Sequence, residues 1–326
     1  KKKKYNQMKK TLILLTIILL VSCNKKSKIE KEVEAIPVSM KVIRFDQAFF
    51  NTKPEDFPKL KKEYPDFFDQ NTPDNVWIEK SQNPDWKALY QETQNKYADF
   101  TQKQQQIESL FKHIKYYFPT VKTPQIFTLI SEMDYNYKAI YANDKLLVGL
   151  EFYLGKDHKF YQGIPAYIRQ NFEERQMLPD VVQSFSEKVV PITNNPTFIS
   201  MMVASGKQLY LKDILIPDYT DAEKIGYSEE QLQWSKENEV EIWKKFIEDN
   251  LLFSTDAKLG PRFINLAPFS KFYLEIDNES PGRIGQWIGW QIVRSFMDNN
   301  PDITIQQLLK MDAKTIFEKS KYKPKK

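Results

Sequence analysis

The single cysteine of the chain, Cys23, stands just beyond the apolar run Thr11–Val21 (TLILLTIILLV), which follows Lys9 and Lys10. One thiol excludes an internal disulfide, so the chain beyond it must be held by a hydrophobic core and hydrogen bonds alone. A basic start followed by an apolar stretch of this length has the layout of a signal peptide. It is too short to span a bilayer as a helix, which takes about 20 apolar residues. Residues 1–22 are therefore read as a cleaved leader with Met8 as its start, and the folding problem begins after Cys23.

The four residues that close the leader, L-V-S-C (Leu20–Cys23), resemble the bacterial lipobox. There the cysteine sulfur takes a diacylglyceryl group and cleavage falls just before it, so Cys23 is the expected lipidation site. Each buried CH₂ of an acyl chain contributes about 0.8 kcal/mol, and two or three chains make a stable anchor. Residues 24–38 (NKKSKIEKEVEAIPV) are highly charged and lack aromatics, which predicts a flexible tether between membrane and body.

The formal charge of +5 is misleading. Residues 1–28 carry nine Lys and no acid, and residues 319–326 carry five Lys and no acid, so the stretch 29–318 has a net charge of −9. A nucleic-acid binder usually has a basic body, so no nucleic-acid partner is expected. Hydrophobic residues at 41% and aromatics at 14% supply a sizeable core and exclude disorder for most of the chain.

Residues 39–326 read as one globular domain. Val38–Phe45 alternates apolar and polar residues and predicts a first or edge strand, with Asp46 as N-cap of a short helix over Gln47–Asn51. Apolar residues at helical spacing predict two helices within Pro84–Tyr117. Gln125–Ser131, Tyr137–Tyr141 and Lys145–Tyr153 predict three strands, the last two joined by a turn at Asn143–Asp144. Lys145–Tyr153 is apolar on both faces for much of its length and is expected at the centre of the sheet. Further on the pattern predicts helices over Val181–Val189, Pro196–Ile216, Ser228–Asn250, Ser280–Asp298 and Thr304–Lys310, with a strand at Phe269–Ile276. The fold class is α+β, helix-rich with a small sheet.

No complete catalytic motif emerges. The two histidines, His113 and His158, are far apart and neither lies in an HExxH pair, so no metal and no cofactor are expected. His113 reads as a partly exposed helix residue. Ser205-Gly206-Lys207 lacks the earlier glycine of a P-loop. Gly285 and Gly289 are one turn apart and read as a close helix contact. Glu237 and Glu241 read as an i,i+4 pair on one helical face. Asp277, Glu279 and Arg283 flank a turn where Ser280 and Pro281 suit the N-cap and first position of a helix. Trp287 and Trp290 share a face and suggest a protein–protein patch. Glu237, Glu241, Asp277, Glu279, Arg283 and Trp287 are thus the candidate functional surface, and no residue is assigned a catalytic role.

Gly206–Asp218, Ile225–Trp234, Asn238–Asp256, Arg262–Met297 and Ser320–Lys326, together with VGLEFYLG (Val148–Gly155) and the lipobox, resemble the gliding-motility lipoprotein family GldB of the Bacteroidetes. The resemblance covers nearly the whole mature chain. It implies a membrane-attached lipoprotein, with palmitate or a similar acyl group, whose partners belong to the gliding machinery and the associated type 9 secretion apparatus. It further implies a body distantly similar to zincin-like metalloproteases. An HExxH helix would then precede the G-K-x-x-Y segment, but Leu178–Pro191 (LPDVVQSFSEKVVP) holds no histidine there. The expectation is a non-enzymatic component with its body facing the periplasm. The alternatives are a degenerate zincin-like hydrolase and a carbohydrate- or peptide-binding lipoprotein.

Overall fold

The computed structural model describes residues 27–324 apart from Gln70, Asn143 and Thr193. The leader, Cys23 and the start of the tether lie outside the described residues. The chain divides into two units, Lys1–Pro37 and Val38–Lys326. In the first, Lys28–Glu34 is helical where the charged composition suggests a coil. Ser27 caps it by accepting the Glu30 N–H at 3.1 Å, and Lys28 and Glu32 pair across one turn.

The second unit holds a four-stranded mixed sheet of order β1-β2-β4-β3. These strands are β1 (Val42–Arg44), β2 (Gln125–Leu129), β3 (Ala139–Ala142) and β4 (Lys145–Gly149). β1, β2 and β4 run parallel, and β3 pairs antiparallel to β4 with Ala142 opposite Lys145. β4 is central, as its two-sided apolar pattern predicts, but it ends at Gly149. Leu150–Tyr153 continues as a 3₁₀ turn packed into the core. Asn143 of the expected turn is outside the described residues.

Alternation splits the sheet residues between two cores. Ile126, Leu146 and Val148 join one cluster with Ile107, Leu110, Phe111 and Ile114 of the helix Thr101–Tyr117, and with Val181, Val182 and Phe185 of the helix Met177–Val189. On the opposite face Phe127 meets Phe67, at the edge of an aromatic cluster built on Phe45, Phe49, Phe50, Phe57 and Phe68. β1 is shorter than expected, because the chain turns helical at Phe45. Asp46 caps nothing. It is buried, and its carboxylate takes the Thr128 hydroxyl at 2.5 Å and Arg44 Nη2 at 2.8 Å.

Two helices carry the C-terminal core. We label Met177–Val189 α1, Phe198–Leu215 α2 and Ile284–Asn299 α3. α2 and α3 cross at Gly206 and Gly289. A methyl group on Gly206 would overlap the Gly289 carbonyl, and one on Gly289 would overlap the Met202 carbonyl. Trp287 and Trp290 are buried in this core with their rings edge-to-face at 5.9 Å. The expectation that they form a surface patch is therefore corrected. In a helix whose one face meets a glycine crossing, the large neighbouring rings fill the space beside it.

Four further expectations change. Ser228–Asn250 is broken at Asn238 (φ −100°) into Glu229–Glu237 and Glu239–Glu248, so Glu237 and Glu241 do not share a helix. Phe269–Ile276 is not a strand, because the Asp277 carboxylate gathers the N–H groups of Phe272, Tyr273 and Leu274 at 3.0, 2.8 and 3.2 Å and curls the backbone around itself. Ser280 does not cap α3. Its hydroxyl accepts from Ser270 N at 3.1 Å, and the helix begins only at Ile284, after Arg283 in the left-handed region (φ 62°). His113 is buried, not partly exposed, with Nδ1 3.0 Å from the Ser109 carbonyl. Among the described residues no helix is long and apolar enough to cross a membrane.

Candidate functional site

A large polar concavity of the second unit is a cleft of about 540 Å³ between α1, α2 and the start of α3. Its walls follow from helical spacing. α1 buries Val181, Val182 and Phe185 against the sheet, which leaves Asp180, Gln183 and Glu187 on another side at i, i+3 and i+7. α2 presents Ser205, Gln208 and Lys212 with the same spacing. Gln183 ties the two stripes together, donating at 3.2 Å to both Gln208 Oε1 and Glu187 Oε1. Arg283 and Gln286 close the third side.

The ionisable groups differ in how they are held. Asp180 is engaged on both oxygens, with Lys138 Nζ at 2.9 and 2.7 Å, and it also accepts the Tyr153 hydroxyl at 3.0 Å. Glu187 is exposed at the rim. Lys212 is only 7% exposed, and its ammonium donates to the Lys224 carbonyl at 2.8 Å. Burial pushes its pKa down to about 7. Nearby Asp180 and Glu187 favour its charge, whereas Arg283 and Lys138 oppose it. Arg283 donates one bond, from Nη2 to the Gly226 carbonyl at 3.1 Å, and lies 5.4 Å from the Tyr227 ring centre. Arg283 is partly exposed, and its partial burial disfavours the charged form too. That carbonyl also accepts from Gln170 and Asn171, so its two lone pairs are fully used.

A second concavity, an apolar groove of about 330 Å³, lies along Glu239–Glu248 and the loop before α3. Trp234, Ile242, Phe272, Leu274 and Ile276 line it, with Glu241 and Asp277 at its polar margin. Tyr273, Leu274 and Ile276 are exposed beside it.

The six residues expected to form one surface are therefore dispersed. Glu241 and Asp277 meet at the groove, and Arg283 lines the cleft. Glu237 accepts from Gln233 on its own helix at 2.6 Å, Glu279 is exposed, and Trp287 is buried. The cleft residues Asp180, Gln183, Glu187, Gln208 and Lys212 escaped the sequence reading. Their signal was the polar stripe that α1 and α2 each carry opposite an apolar one. Among the described residues no group of three or more His, Cys, Asp or Glu side chains is arranged to hold a metal.

A family model described as gliding motility protein GldB matches residues 26–324. No curated protein and no solved structure matches the chain.

Proposed function

Because the chain belongs to the GldB family of gliding motility proteins, we propose that it serves gliding as a lipid-anchored, non-enzymatic component, working by contact in the assembly or stability of the motility and type 9 secretion machinery. Cys23 is the anchor point, with the body on the periplasmic side. One observation carries the non-enzymatic part. Where the resemblance leads one to expect a metal-binding histidine pair, α1 presents Asp180, Gln183 and Glu187, and the Asp180 carboxylate is already engaged by Lys138 and Tyr153. A general base needs a carboxylate free to take a proton from a substrate or water. Support for the anchor comes from the apolar run and L-V-S-C at Leu20–Cys23.

Complementation of a gene deletion, scored by surface spreading, tests both parts. Cys23→Ala should lose acyl-chain labelling and spreading together. Glu187→Gln keeps the shape of the cleft rim while removing its exposed carboxylate, so spreading should be retained. An acid–base role for that group would instead lower turnover by about 10²-fold or more. Loss of spreading by a stably accumulating Glu187→Gln protein refutes the non-enzymatic reading, and acyl labelling that survives Cys23→Ala refutes the anchor.

A further inference from the structure

The cleft between α1, α2 and α3 carries three cations, Lys138, Lys212 and Arg283, against two carboxylates, Asp180 and Glu187. The Lys138–Asp180 pair satisfies itself. Glu187 sits at the exposed rim and is bonded by Gln183. The two inner cations are left with backbone carbonyls only, at Lys224 and Gly226. An ammonium has three N–H donors and a guanidinium five. With one bond each, most of the donors on Lys212 and Arg283 have no protein acceptor among the described residues. Buried charges are normally paired, and an unpaired one costs stability.

We infer that this cleft is a binding site for a small ligand bearing a single carboxylate, such as the free C-terminus of a short peptide, with Lys212 and Arg283 holding the carboxylate. Several observations select this class. The volume, about 540 Å³, falls in the range of small-molecule sites. With Lys212 protonated, the charges in the walls leave one positive unit, which a monoanion neutralises and a doubly charged anion overshoots beside Asp180 and Glu187. Arg283 offers the planar fork that matches a carboxylate with two parallel bonds. The remaining polar wall is neutral, mostly amides such as Asn171, Gln208 and Gln286 with the Ser205 and Tyr135 hydroxyls, and it suits the neutral amides of a peptide better than a second charge. The inference goes beyond the anchor and assembly reading and does not depend on it.

Calorimetric titration of the purified full chain in detergent at pH 6.5 tests it, with N-acetylated tri-alanine, its C-terminal amide and inorganic phosphate as probes. The acid should bind, and the amide should bind at least about tenfold more weakly, since a hydrogen bond to a charged group contributes a factor of roughly ten to a hundred. Lys212→Met and Arg283→Gln should each weaken binding of the acid by a similar factor while the melting temperature shows both proteins folded. Equal binding of acid and amide, tighter binding of phosphate, or no binding of the acid would overturn the assignment. Mass spectrometry of the titrated peptide separates the two readings. Intact peptide agrees with both, whereas cleaved peptide upholds the site and removes the non-enzymatic one.

Discussion

Replacing Lys212 by Met should stabilise the protein at slightly acid pH. The Lys212 ammonium is buried, and burial lowers its pKa from 10.5 to about 7. The unfolded chain therefore holds a proton that the folded chain releases between these values. Stability rises with pH across that window, and the penalty is complete below about 7. At 1.36 kcal/mol per pH unit the buried charge costs about 5 kcal/mol. Asp180 and Glu187 oppose that loss and Arg283 and Lys138 add to it. Methionine keeps the length of the stem and removes the charge, but it also gives up the bond to the Lys224 carbonyl, worth about 1 kcal/mol. Allowing further for relaxation of the cleft, the net gain at pH 6 is about 2 kcal/mol, or a melting temperature raised by roughly 4 °C for a domain of this size. Thermal unfolding of both proteins at pH 6, 8 and 10 reads the effect. The gain should be largest at pH 6 and shrink toward pH 10, where the folded chain's lysine is neutral and the pH is close to the ordinary value of 10.5, so little of the penalty remains. A Met variant that melts below the wild type at pH 6 would show Lys212 to be a structural strut and not a charge awaiting a partner.

Other sites separate structural from functional chemistry. Gly289→Ala drives a methyl group into the Met202 carbonyl of the crossing helix and should cost about 3 kcal/mol in denaturant unfolding; Gly260→Ala, where the nearest atom is Met201 Sδ at 3.9 Å, should cost less than about 0.5 kcal/mol. Arg294 binds Asp213 and Asp221 through two forks at 2.7–2.8 Å and stacks 3.7 Å from the Trp290 ring centre, so Arg294→Met should cost about 3 kcal/mol by leaving Asp221 without its bonded cation and Asp213 with the Lys224 cation alone. In the wild type, burial raises the pKa of Asp221 but Arg294 outweighs it, for a net lowering. Its contribution to stability is thus complete above the ordinary value of 3.8 and is lost as the pH falls below it, a dependence that Arg294→Met should flatten.

Much of the fold could be read from periodicity, because burial of one face dictates it. The helices Pro84–Tyr97 and Thr101–Tyr117 appear where the spacing of Trp86, Leu89, Ile107, Leu110 and Ile114 places them. The antiparallel pairing of β3 with β4 follows from two apolar runs separated by two residues. What escaped depends on contacts distant in sequence. Asp277 is the local exception: it looks like a helix-start acid, yet its carboxylate gathers the N–H groups of Phe272, Tyr273 and Leu274 into a loop. Asp46 looks like a cap, yet its partner Thr128 is 82 residues away. Trp287 and Trp290 look like a patch until the crossing at Gly206 and Gly289 shows that both faces of α3 are enclosed. The cleft was hidden for the same reason. Ser205, Gln208 and Lys212 are an ordinary polar stripe until α1 supplies Asp180, Gln183 and Glu187 opposite them.

That opposition bears on how the body works. α2 is held on one side by a glycine crossing that admits no side chain, which fixes the position of its other side against α1. Chains under pressure only to fold tend to fill such a space with apolar groups, since exchanging buried charges for well-packed hydrophobic residues is commonly neutral or stabilising. Here the space holds Lys212 and Arg283 with backbone partners only, next to a lysine–carboxylate pair that is complete in itself. Local consistency is broken there, inside a scaffold packed around three aromatic-rich cores. Departures of this kind concentrate where a protein meets something other than itself. A rigid crossing that presents two unmatched cations to an open cleft is suited to recognising an anionic chain end, and a lipid on Cys23 would confine that recognition to the surface of a membrane.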